Sequence, residues 1–384
     1  MNIPKACSQR NDMTDRKKIN IAQPSFLGNE KKYLLDTIES GWISSIGPYI
    51  EKFEQEFARY HGVKHAIATH NGTIALHLAL VAAGITNDDE VIVPDFTFVA
   101  TANSVRYCNA RPILTDVDAG DWNIDPEAVA ANITPKTKAI IPVHLYGNPA
   151  RMDELGALAR KHGLIMIEDC AEALGATYNG KRVGTIGDIG CFSFFGNKII
   201  TTGEGGMCIT DNDALAERMR ILRDHGMNRQ KKYWYDFLGF NYRMTNMQAA
   251  IGLAQLEQLD DLLNMRDEIY RAYQNSFMNC SQVLLQETHH QRHVNWIFTL
   301  RMKGFTETRR DKVMEVLKAQ NIDSRPAFYP IHHMEFYRHD DFFRITPANS
   351  VLVSQEGISL PTFIGLGDND ISFIAETLIG SLNH

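Results

Sequence analysis

The chain has 384 residues, 44% of them hydrophobic and 22% charged, with a formal net charge of −7. That length divides naturally into two domains, and the mildly acidic balance gives no electrostatic reason to expect a nucleic-acid partner. Charged residues interrupt the apolar stretches before a membrane span's length is reached, and residues 1–18 are polar without the apolar core of a secretion signal, so a cytoplasmic protein is expected.

Residues 1–18 read as a loose leader. From there to about residue 263, helical and strand patterns alternate, as in a sheet covered by helices on both sides, and this defines a large domain at 19–263. The helical stretch 246–266 leads out of it. The remainder, 264–384, has a strand-like run at 294–302 and a helical one at 309–320, and is expected to form a smaller α+β domain.

Four segments of the large domain carry chemistry. In residues 70–80, Gly72 lets the backbone turn closely and Thr73 opens an apolar helix whose free amides suit an anion such as phosphate. The second glycine and the lysine of a Walker P-loop are missing, and the same residues also suit a plain capped helix. Residues 90–103 read as strand, turn and helix with Phe98 at the turn, where it either stacks on a flat ring or joins the core. Residues 163–169 read as a buried parallel strand ending in acids, a place where open α/β sheets bind ligands; Asp169 is either a ligand-facing carboxylate or a cap for the next helix.

The fourth segment, 191–206, sets Lys198 among Phe192, Phe194, Phe195, Ile199 and Ile200 before a glycine-rich turn. Desolvation there lowers a lysine's pKa and makes Lys198 a candidate Schiff-base nucleophile, the alternative being a lysine that merely ends a strand. Lys198 and Asp169 together fit pyridoxal 5'-phosphate, whose ring nitrogen needs a carboxylate and whose carbonyl needs an amine. Cys7, Cys108, Cys170, Cys191, Cys208 and Cys280 lack metal-site spacing and read as reduced thiols, and no metal site is expected. His144, after an apolar strand, reads as a satisfied core histidine.

In order along the chain, Asn71-Gly72-Thr73, Thr97-Phe98, Glu168-Asp169 with Glu172, then Ser193 with Lys198 and the turn Thr202-Gly203-Glu204-Gly205-Gly206 resemble the sugar aminotransferases of the DegT/DnrJ/EryC1/StrS family. The resemblance runs over nearly the whole chain, through Ser40 to Pro48, Pro142 to Gly147, Asn241 to Ala250 and Tyr329 to His332. It implies a type I aminotransferase fold: an α/β large domain with a mostly parallel sheet flanked by helices, and a smaller C-terminal α+β domain. It also implies pyridoxal 5'-phosphate bonded to Lys198, with Asp169 at the ring nitrogen and Phe98 stacked on the ring. By the same resemblance, Gly72, Thr73 and Ser193 are expected to hold the phosphate, and Asn241 to reach it from the neighbouring subunit of a homodimer with shared active sites.

Glu172 stands where many members carry glutamine near the cofactor's phenolic oxygen. An ionised glutamate there would be repelled, so either Glu172 is protonated or its role differs. Arg325, Tyr329 and His332 suit the sugar side, although Arg325 and His332 equally suit the pinning of a loop; Trp42 and Ser45 are candidates for the mouth of the site, the alternative for Trp42 being a packing anchor. The implied reaction is ping-pong transfer from L-glutamate to a carbonyl sugar, for surface polysaccharide or lipopolysaccharide biosynthesis. The form Phe194-Phe195-Gly196-Asn197 resembles the branch that aminates GDP-4-keto-6-deoxymannose, while departures at 332–337 leave open an acceptor such as 8-oxo-Kdo. Family dehydratases carry histidine in place of the lysine, so Lys198 argues against a dehydratase or other lyase. With Asp169 it also argues against a non-catalytic regulatory relative.

Overall fold

The computed structural model describes residues 17–228, 230–289, 291–338 and 340–382. The expected leader therefore lies outside the described residues except for Lys17 and Lys18, and Cys7 lies outside them too. In chain order the strands are β1 (His65–Thr69), β2 (Glu90–Pro94), β3 (Arg111–Thr115), β4 (Thr137–Ile140), β5 (Ile165–Asp169), the short β6 (Thr177–Tyr178) and β7 (Lys181–Arg182), β8 (Ile189–Ser193) and β9 (Gly206–Thr210). After them come β10 (Val283–Leu285), β11 (Gln291–Arg292), β12 (Phe298–Met302), β13 (Arg325–Pro326) and β14 (Gly357–Leu360).

Seven strands form the main sheet in the order β1-β9-β8-β5-β4-β2-β3. Only β9 runs against its neighbours, and the pairs β2–β3, β2–β4, β4–β5 and β5–β8 are parallel. Its strands are apolar on both faces because helices cover both. Val91 and Val93 enter one core while Ile92 enters another, and Cys208 faces away from Met207 and Ile209 in the same way. A mostly parallel sheet brings the carboxyl ends of β1, β2, β5 and β8 to one edge, and that edge carries the site.

The second sheet, β10-β12-β14-β13, is antiparallel throughout. Helix Leu259–Phe277 joins the two halves: Leu259, Leu262 and Leu263 pack into the first core, while Ile269, Tyr273 and Phe277 pack into the core over β12 and β14. Three sequence readings shift here. The stretch 246–266 is two helices, Asn246–Leu256 and Leu259–Phe277, broken at Glu257 and Gln258. The helix expected at 309–320 begins earlier, Glu307–Ala319, because the Thr306 side chain caps it. The strand expected from 294 begins only at Phe298, because Asn295 adopts a left-handed φ of 53° that no strand accommodates.

Candidate active site

A cavity of about 400 Å³ opens at that sheet edge and collects residues from seven separate segments. Gly72 and Thr73 come from the start of helix Gly72–Ala82, whose cap is the Asn71 side chain accepting from the Ile74 amide at 2.9 Å. Gly72 is required by close approach: a Cβ there would lie 2.7 Å from the Cβ of Ser193, the last residue of β8. The helix's amino end and the Ser193 hydroxyl are thus held together beside one small volume, an arrangement suited to an anion. Phe98, 56% exposed, stands on the wall with Phe328 at 6.1 Å between ring centroids.

Asp169 ends β5 and is buried. Its Oδ2 accepts from the Thr101 hydroxyl at 2.8 Å and its Oδ1 from the Ala171 amide at 3.1 Å. Burial pushes this carboxyl up; the Thr101 and Ala171 hydrogen bonds and the nearby Lys198 pull the other way. Burial in turn holds the Lys198 amine below its usual value, against Glu172 and Asp169, which raise it. Lys198 Nζ lies 4.0 Å from Glu172 Oε1 and 3.7 Å from the centroid of Trp296. Glu172 Oε2 accepts from the Tyr146 amide at 2.7 Å, and burial pushes the Glu172 carboxyl up to about 7.

Of the remaining candidates, one lines the cavity and the others do not. Arg325 lines the cavity from β13. Tyr329 does not; its hydroxyl accepts from Arg310 at 3.3 Å. His332 is turned onto Asp95, with Nδ1 2.7 Å from Oδ2 and its amide donating to Oδ1, so it pins the loop that follows β13. Trp42 and Ser45 lie by the start of helix Asn246–Leu256, where Asn246 donates to the Trp42 carbonyl. Ser45 faces a different cavity, shared with Arg243 and Asp224. Asn241 is exposed, bridges to Asp224 and accepts from Arg243 at 3.0 Å, so it is absent from its own chain's cavity.

His144 is a core residue: Nδ1 accepts from the Ala150 amide, which leaves Nε2–H to donate to Glu168 at 3.0 Å. Glu168, His144 and Cys170 lie close enough together to suggest metal ligands, but both Glu168 oxygens already accept backbone amides of Gly184, Ile186 and Gly187. Cys108, Cys170, Cys191, Cys208 and Cys280 are free thiols, and burial pushes Cys170 and Cys191 well up, as suits packing residues.

Sequence reasoning missed Thr101, Tyr146, Trp296 and Phe328. Thr101 lies inside a helix, and Trp296 was hidden in the expected strand; neither position carries a local signal.

The residues present fit pyridoxal phosphate: a desolvated amine, a buried hydrogen-bonded carboxyl, an aromatic wall, and a hydroxyl-bearing helix start surround one cavity. Asn197 adds a buried Oδ1 that lacks a hydrogen-bond partner among the described residues and lines the same space. Fold and site together define a pyridoxal-phosphate-dependent aminotransferase. The chain belongs to the DegT/DnrJ/EryC1/StrS aminotransferase family, whose profile matches residues 25–379, and it is a sugar aminotransferase.

Among known relatives it is 49% identical over 370 residues to GDP-perosamine synthase of Caulobacter vibrioides, covering 95% of this chain and 99% of that one. It is 43% identical over 362 residues to the GDP-perosamine synthase of Escherichia coli O157:H7, covering 94% and 98%. Among solved structures, S. venezuelae DesV in complex with a ketimine intermediate superposes with a TM-score of 0.87 at 32% identity, covering 93% of this chain and 95% of DesV.

Proposed function

We propose that this aminotransferase moves the amino group of L-glutamate onto carbon 4 of GDP-4-keto-6-deoxymannose, as a step toward a surface polysaccharide or lipopolysaccharide. The observation that carries the reading is 49% identity to a GDP-perosamine synthase across both chains almost end to end. When bound, pyridoxal phosphate supplies an electrophilic carbonyl and an electron-withdrawing ring. Lys198 provides the amine that bonds to it and, once free, holds and moves a proton at Nζ. Asp169, kept in place by Thr101 and Ala171, would hold the ring nitrogen. Gly72, Thr73 and Ser193 would hold the phosphate, and Phe98 would cover the ring. Glu172 is oriented by the Tyr146 amide toward Lys198.

On the acceptor side, Arg325 is positioned for an anionic group because it lines the cavity. Tyr329 and His332 act through the loop they pin. We further propose a two-fold homodimer, in the cytoplasm, with 19–263 as the cofactor domain and 264–384 as the smaller one. Asn241, Trp42 and Ser45 then serve the neighbouring subunit's site. Their clustering away from their own cavity supports that reading, as do the exposed Tyr233, Trp234 and Leu238 just before Asn241. Among the described residues no helix is long and apolar enough to cross a membrane.

The test is incubation with ¹⁵N-labelled L-glutamate and either GDP-4-keto-6-deoxymannose or 8-oxo-Kdo, with products read by mass spectrometry. Label in a GDP-4-amino sugar is expected. Label only in the octulosonate would overturn the acceptor assignment.

A further inference from the structure

The Lys198 amine meets an aromatic face before it meets a carboxylate. Its Nζ is 3.7 Å from the centroid of the Trp296 ring, whereas the nearest carboxylate oxygen, Glu172 Oε1, is 4.0 Å away and beyond hydrogen-bond reach. Tryptophan offers a cation the most favourable of the aromatic faces, and the attraction strengthens where water is excluded. Trp296 is buried, and its indole N–H donates to the Asn197 carbonyl at 2.7 Å, so the ring is tied to the backbone immediately before the lysine it faces. Behind it the Tyr146 ring is nearly parallel to Trp296, at 6.3 Å and 16°, and to Phe328, at 5.3 Å and 7°. Tyr146 holds a left-handed φ of 55° while its amide donates to Glu172 and its hydroxyl accepts from the Phe328 amide. The ring stack, the carboxylate and the lysine are therefore one mechanically connected unit.

We propose that the face of Trp296 is the seat on which Lys198 rests whenever its amine is free, which makes Trp296 a positioning residue that keeps the ammonium at the cavity wall between half-reactions. Among the described residues, the other charged side chains lining that cavity are Asp169, Glu172, Glu204 and Arg325. Burial works against the ammonium, and the ring works for it, alongside the two nearer carboxylates.

The inference rests on Lys198 as the reacting lysine, but its test needs neither cofactor nor sugar. In the cofactor-free protein, competitive acetylation with trace acetic anhydride across pH, read peptide by peptide, gives the apparent pKa of Lys198, with exposed Lys312 as internal reference. In Trp296→Leu that pKa is expected to fall by on the order of half to one unit, and in Trp296→Phe by less, because phenylalanine keeps a weaker face. An unchanged or raised pKa in both variants overturns the seat. If Trp296→Leu loses its native circular dichroism, Trp296→Phe decides alone, a fall supporting the proposal and no change overturning it. Undiminished multiple turnover in Lys198→Ala would instead remove Lys198 as the reacting lysine, a separate failure that the labelling does not share.

Discussion

Asp169 is useful to a ring nitrogen only as a carboxylate, and burial alone would push it toward the neutral acid. The Thr101 hydroxyl at 2.8 Å and the Ala171 amide oppose that tendency, so Thr101 matters although it forms no part of a recognisable motif. Thr101→Val removes the donor and leaves the volume. Cofactor affinity, followed by absorbance titration, is expected to fall about tenfold, as for a lost hydrogen bond to a charged group; unchanged affinity would reduce Thr101 to packing. Lys198, Asp169 and Gly72 could be singled out because each is marked by its neighbours, a lysine among aromatics, an apolar run ending in an acid and a glycine before a helix, whereas Ser193 came only with the family resemblance. Thr101 and Trp296 could not be singled out, since their importance comes from contacts 68 and 99 positions away along the chain.

Two elements, helix Gly72–Ala82 and strand β8, meet so closely that the first residue of the helix has no room for a side chain. Gly72→Ala would bring a Cβ to 2.7 Å from that of Ser193, forcing the two elements apart. The expected outcome is a stability loss of about 1 to 3 kcal/mol in thermal unfolding, together with weaker cofactor binding, because the hydroxyl and the helix amides no longer converge. Loss of stability with full affinity would detach the close approach from the phosphate site. The alternation of elements in the large domain was readable because buried parallel strands and amphipathic helices have distinct patterns. The region around Trp296 was misread as strand because Val294, Trp296, Ile297 and Phe298 are apolar on either side of Asn295, and the left-handed turn at Asn295 depends on contacts such as Asn295 Nδ2 to Asp267.

Across the whole molecule, the first core encloses a titratable group that the site does not use. His61 ends helix Pro48–His61 with its Nδ1 bonded to the Phe57 carbonyl and its ring 4.9 Å from Phe192. Burial depresses its pKa to about 4. The unfolded chain therefore binds a proton that the folded one refuses, so its contribution is present above about pH 6.5 and is lost as pH falls toward 4. Urea unfolding of the cofactor-free protein is expected to show that decline, and His61→Gln to flatten it by up to about 3 kcal/mol; an unaltered slope would place the acid sensitivity elsewhere.

The proposed sharing of sites between subunits is also a property of the whole assembly. Lys198→Ala and Asn241→Ala homodimers are each expected to be nearly inactive, but mixing them 1:1 with subunit exchange should restore about a quarter of full activity, since a heterodimer contains one intact site. No recovery in confirmed heterodimers would confine each site to one chain. The most direct measurement of the central claim is a stopped-flow single turnover: enzyme loaded with nitrogen from L-glutamate is mixed with GDP-4-keto-6-deoxymannose, and the visible band of the Lys198–cofactor bond is followed. Rapid return of the band, at a rate no slower than steady-state turnover, is expected. No return with this sugar, or return only with 8-oxo-Kdo, would contradict the account.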